Sequence, residues 1–399
     1  MTFDPNFLVE RQQVDAWIAS ELEVAMSESD YGSALDAHWR ATSPTVGEFL
    51  AENFRNIPGG DSPYNAALTD ALRSGDGSSY YKALLMQALV LVQAADRAQS
   101  GQANERVRIT FLPSNTRYAA MYEPHMVKGW SVIGIDWGML CAVMTTAALV
   151  SHCVQGHYDP ATQAMQWTLS PESAVAAFDA NPDLKAMWVN GLTPAIIPSL
   201  PPIAPTFGGE PHQTVFGLMV LKAMIFGLVA HEYGHVMRNH WRDRRRANEL
   251  RFQIEHEADG LSVLLAMRDP WKVLARNESE YNPQERTFTV AGCLLLQSML
   301  KQLQIGDRMV DDLTGRKPRA STHPDPMDRM EGLRQIMDLL VPQNTVQRRE
   351  IDMYAWFLIN FFDAVWNRST SALFLHLQRQ DALGVRPIEA APGANLRFL

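Results

Sequence analysis

The chain has 399 residues, 46% of them hydrophobic and 20% charged, with a formal net charge of −9. That length and balance describe a folded chain with a large core and room for more than one lobe, not a disordered or fibrous one. The negative balance argues against a surface built to hold phosphate backbones, so no nucleic-acid partner is expected; the five arginines of "RNHWRDRRR" (Arg238 to Arg246) read as a solvated loop.

Taken in chain order, residues 1–105 read as a helical region. "MTFDPNFLVERQQVDAW" lacks a basic segment followed by an apolar one, so no secretion signal is expected. "SPTVGEFLAENFRNI" offers Ser43 as an N-cap with Pro44 at the first helical position. "SYYKALLMQALVLVQAADRAQ" (Ser79 to Gln99) carries apolar residues at helical spacing. The period then changes: "VRITFLP" (Val107 to Pro113) alternates like a strand, "WSVIGIDWGML" (Trp130 to Leu140) reads as a second strand, and "LCAVMTTAALVSHCV" follows as a helix. Gly191 to Pro211 holds six prolines and three glycines and reads as a connector without regular structure, or as a rim over a cleft. Helices dominate from there to about Leu377, and residues 381–399 form an irregular tail.

Two apolar stretches bear on membrane insertion. Val215 to Ala230 is interrupted by Lys222 and Met353 to Trp366 by Asp363, and both fall short of about 18 uninterrupted apolar residues, so buried core helices are expected and no membrane partner. Cys141, Cys153 and Cys293 show no paired spacing, which fits buried thiols in a reducing, cytoplasmic setting.

The chemistry concentrates in "LVAHEYGHVMRNHW", which starts at Leu228. On a helix, His231 and His235 are four residues apart and share a face, while Glu232 lies where its carboxylate reaches a metal-bound water without ligating. Two imidazoles suit a borderline-soft ion such as Zn²⁺, and the carboxylate suits a general base. A hydrolytic zinc takes a third protein ligand, and "FQIEHEADG" supplies one: Glu255 and Asp259 are helical neighbours, whereas Glu257 points the other way. Glu255 is the expected ligand, with Asp259 placed to accept the N–H of a ligating histidine. His256 reads as a surface or supporting residue.

"HEYGHVMRNH" followed by "EHEADG" resembles the gluzincin metallopeptidases of the M48 type, and "STHPDPMDRMEGL" (Ser321 to Leu333) is similar to the family's downstream Ser/Thr-His-Pro turn and Arg-bearing helix. "VIGIDWGML" resembles the strand those enzymes place before the active-site helix. The clear resemblance covers about Val107 to Leu333. It implies His231, His235 and Glu255 as ligands, Glu232 as general base, Asp259 in support, and His323 near the metal as oxyanion stabiliser or gating ligand. The same His-Pro turn reads equally as the start of a helix. The implied fold is α+β and mostly helical, a zincin-like metallopeptidase core over residues 106–380 with a small sheet against the metal-bearing helices. The implied activity is zinc-dependent endopeptidase action on a protein or peptide, with the strand at Trp130 to Leu140 holding substrate by backbone pairing. Three alternatives stand beside it: a non-catalytic zinc-stabilised interaction protein, a membrane-associated protease using Val215 to Ala230 as a shallow insertion, and a phage-exclusion type of metallopeptidase.

Overall fold

The computed structural model describes residues 5–23, 77–112, 119–122, 124, 127–159, 164–197, 207, 210–240, 248–268, 283–315 and 324–382. Ser43, Pro44, His323 and the tail beyond residue 382 lie outside them. The described residues are mostly helical with a small sheet, the α+β character expected.

Helix α1 (Pro5–Trp17) runs on as a π-helical segment, Ile18–Glu23. Helix α2 (Gly77–Ser100) contains the whole apolar pattern from Ser79 to Gln99. Strands β1 (Val107–Leu112), β2 (Ala119–Tyr122) and β3 (Ser131–Asp136) form one sheet in the order β1-β3-β2, β1 parallel and β2 antiparallel to β3. Ile109 pairs with Ile133 on one side, and Ala120 with Gly134 on the other.

Two expectations change here. The strand read over Trp130 to Leu140 stops at Asp136, whose side chain accepts the Gly138 N–H at 2.8 Å and caps helix α3 (Trp137–Cys153). A capping aspartate inside an apolar run switches the period from strand to helix. Because β3 is the central strand, both its edges are already paired, so it cannot hold an extended peptide by backbone pairing.

A hairpin, β4 (Gln155–Asp159) with β5 (Ala164–Thr168), leads to helices α4 (Pro171–Ala180) and α5 (Pro182–Ile196). Each starts at a proline behind a capping residue: Ser170 accepts from Ser173 N–H at 3.1 Å, and Asn181 from Asp183 N–H at 3.0 Å. Helix α5 overturns part of the connector reading, since it stays helical through Gly191 and Pro194. Gly191 to Ile196 are buried, and burial of Leu192, Ala195 and Ile196 outweighs the one hydrogen bond that Pro194 removes.

Helix α6 (Pro211–Met237) is the axis of the fold, packed against α2, α3 and the later helices α7 (Asn248–Met267) and α8 (Pro283–Thr314). By length and composition it could cross a membrane, yet 83% of its most apolar 18-residue stretch lies inside the fold. Phe216, Met224, Phe226 and Tyr233 are fully buried, each such side chain contributing about 1.5–3 kcal/mol by leaving water. Tyr233 donates to Asp96 at 2.7 Å and accepts from the Asn104 N–H at 2.9 Å, tying α6 to the end of α2. Burial, then Asp96, push its phenol well above the ordinary value.

Helix α9 (Pro326–Leu340) is capped by Asp325, which accepts from Met327 N–H at 2.8 Å, so Asp325-Pro326 begins the helix two residues after the His-Pro pair. Helix α10 (Val346–Ala382) includes the second apolar stretch: Phe357, Phe361 and Phe362 are buried while Trp356 faces out. The three cysteines are free and buried, as expected.

Candidate metal centre

The last turns of α6 bring His231 and His235 together at its base, with their Nε2 atoms 3.1 Å apart. Helix α7 crosses beneath and places Glu255 between them, one carboxylate oxygen 3.3 Å from His231 Nε2 and the other 3.6 Å from His235 Nε2. A tetrahedral ion with bonds of about 2.0–2.2 Å has ligand–ligand edges of roughly 3.3–3.6 Å. Two nitrogens and a carboxylate at these separations form one face of such a tetrahedron, so the donor set fits Zn²⁺.

Gly234 makes this crossing possible. A Cβ there would lie 3.1 Å from Ala258 Cα and 3.2 Å from its carbonyl oxygen, backbone atoms that move only with the whole of α7. Gly234→Ala is therefore expected to destabilise the protein by about 1–3 kcal/mol and to reduce metal retention, because the helices separate at the donors. Gly260→Ala is the control, since its Cβ would meet the flexible end of Ile336 instead. Thermal unfolding and bound-metal analysis of the two variants check this.

Asp259 stands where the helical spacing placed it, its Oδ1 2.9 Å from His231 Nδ1. Arg329 of α9 grips the same carboxylate with two bonds of 2.7 Å, and Gln297 of α8 adds a third donor at 3.3 Å. Arg329 Nη2 is also 3.4 Å from His231 Nδ1, a contact between two donors when that nitrogen directs its N–H at Asp259. Burial alone would raise the Asp259 pKa, but the Arg329 guanidinium and then His231 hold it down at about 2. Burial pulls His231 down, and the Asp259 charge outweighs this and pushes it up to about 10. A cation that takes the His231 lone pair displaces a proton. Asp259→Ala is expected to weaken metal retention roughly 10- to 100-fold, measured by competition with a chelator; a fall in thermal stability alone would leave Asp259 a structural carboxylate.

Glu232 is 6% exposed, with a carboxylate oxygen within 4.8 Å of the ring nitrogens of both His231 and His235. It lies close enough to raise the pKa of Arg329 through its charge, behind the larger opposing effect of burial and the pull of Asp259 and Glu255.

Two partners were not singled out by spacing. After α6 the chain turns back at Asn239, whose φ of 52° is the left-handed conformation that asparagine tolerates at a helix end. His240 is thereby buried against His235, their Nδ1 atoms 3.0 Å apart. Glu257, which does point away from the ligands, accepts at His240 Nε2 over 3.1 Å. Burial, outweighing Glu257, keeps His240 below its ordinary pKa. Arg329 is the other; the resemblance contained an arginine on this helix but gave it no role. An asparagine four residues past the second histidine was the only sequence signal for His240. His256 is half-buried beside Gly332.

No family model matches this chain, and neither a curated protein nor a solved structure matches it. The centre is accordingly established by its own geometry: a buried group of His231, Glu232 and His235, joined by Glu255 and braced by Asp259 and Arg329, that could hold a metal ion.

Proposed function

We propose that this chain is a zinc-dependent endopeptidase with a zincin-like core, similar to the gluzincins its motifs resemble. His231, His235 and Glu255 would hold the ion. The observation that carries the reading is Glu232, a buried carboxylate set beside His231 and His235. A zinc ion there would polarise the scissile carbonyl and lower the pKa of its water to about 7.

Glu232 accepts the proton of the attacking water at its carboxylate and returns it to the leaving amine, so one residue serves as base and then acid. Asp259 accepts the His231 Nδ1–H, which leaves Nε2 as the nitrogen that would ligate the ion. Strand β2 lies at the edge of the sheet and touches α6, which makes it, rather than β3, the strand suited to pairing with an extended protein or peptide substrate. The buried state of Val215 to Ala230 speaks against a shallow membrane insertion by that segment. Free buried thiols agree with a reducing, cytoplasmic setting.

A second reading has a specific observation behind it. His231, His235 and Glu255 are all at least 92% buried, as in an ion that ties α6 to α7 and serves stability alone. A structural site closes with four protein ligands and needs no base, so Glu232 favours catalysis. Elemental analysis of the wild type and Glu255→Ala, alongside cleavage of casein, separates the two: metal with hydrolysis supports the peptidase, metal without hydrolysis the structural role.

A further inference from the structure

The two histidines at the centre are supported differently. His231 meets a carboxylate directly, and that carboxylate is buried and neutralised by Arg329. His235 meets another imidazole. From its Nδ1 the chain of contacts runs 3.0 Å to His240 Nδ1, then 3.1 Å from His240 Nε2 to Glu257, whose other oxygen accepts from Gln253 at 2.8 Å. His240 is 2% exposed while the Glu257 side chain is 43% exposed, so the path leads from the buried centre to the surface.

Proton placement follows from the end of this path. An ionised carboxylate only accepts, so the Nε2 of His240 carries the hydrogen. A neutral imidazole then has a lone pair on Nδ1, and the 3.0 Å contact requires His235 to donate from its own Nδ1. His235 Nε2 is left as a lone pair facing His231 Nε2, 3.1 Å away. The relay keeps the hydrogen off His235 Nε2, where it would block coordination, and holds the ring in line.

We propose that His240 and Glu257 are positioning residues that lock the tautomer and ring orientation of His235 through a surface-reaching imidazole–carboxylate relay, an inference that rests on reading His231, His235 and Glu255 as a metal site. His240 sets the lock and Glu257 sets His240. The two ligands are thus held by unlike devices, one sealed in the core and one anchored at the surface.

The test uses the full-length chain freed of metal and titrated with cobalt(II), whose visible absorption reports ligand geometry. Wild type binds cobalt and His231→Ala does not. His240→Ala is expected to bind roughly 10- to 100-fold more weakly with an altered spectrum, and added imidazole restores both, which a purely structural role of His240 would not produce. Glu257→Ala weakens binding by a smaller factor, and imidazole does not restore it. Should His240→Ala fail to fold, the surface substitution decides: weaker binding supports the relay, and unchanged affinity and spectrum overturn it. If wild type binds cobalt while both variants match it, the relay alone is wrong. If wild type binds none, the metal reading fails and takes the relay with it.

Discussion

Glu232→Gln is expected to retain the metal and the fold but to cleave casein roughly 10²- to 10⁴-fold more slowly than wild type. The amide is nearly isosteric with the carboxylate, so packing at this 6%-exposed position is preserved. It has no basic oxygen to take a proton from water, and that is the property the substitution removes. With His231, His235 and Glu255 as the proposed donors, 3.1, 3.3 and 3.6 Å from one another, metal content is expected to remain unchanged. Near wild-type turnover would refute the general-base role while leaving the metal site intact. Lost metal together with lost activity would make Glu232 a ligand instead.

Arg329→Leu lowers the stability of the metal-free protein by about 3–5 kcal/mol, read from urea unfolding in the presence of a chelator. The substitution leaves Asp259 charged and 2% exposed, with Gln297 and His231 to answer it among the described residues. Removing both partners is far milder than removing one, since a buried pair replaced by apolar groups leaves no uncompensated charge. Arg329→Leu combined with Asp259→Leu should therefore be more stable than Arg329→Leu alone, a coupling that independent residues would not show. The acid limb provides a second check. Asp259 is held at about 2 against its ordinary 3.8, so its folded-state contribution is complete above that ordinary value and is lost as pH falls toward 2. The stability gap between wild type and Arg329→Leu narrows over that interval; a constant gap would show that Arg329 acts through packing rather than charge.

Much of the centre is legible in the sequence because it is a product of helical period. Residues four apart on a helix share a face whatever surrounds them, so the spacings of His231 to His235 and Glu255 to Asp259 assign donors and brace without tertiary information. The outward direction of Glu257 follows from the same geometry. The core role of Val215 to Ala230 was expected from Lys222 inside the apolar run, but the helix is long and apolar enough to cross a membrane, and it is burial inside the fold that marks it as core.

Other features depend on what meets what across the fold. Spacing cannot say that Ala258 is the residue Gly234 must clear, because that contact joins two helices whose crossing is set by packing. Nor does it place Arg329 on Asp259 from 70 positions away, or bring His240 back to His235 through one left-handed asparagine. The end of β3 at Asp136 was misread because an apolar run continues through strand and helix alike, and only the cap marks the change. Pro194 was misread because burial of its neighbours outweighs a local preference. The central position of β3 was invisible for a related reason: a strand's sequence records which faces are apolar, whereas the order of strands is decided by pairing between distant segments. Local period determined which residues can act together here; long-range packing determined which of them do, because contacts between elements depend on shape and burial that no single segment contains.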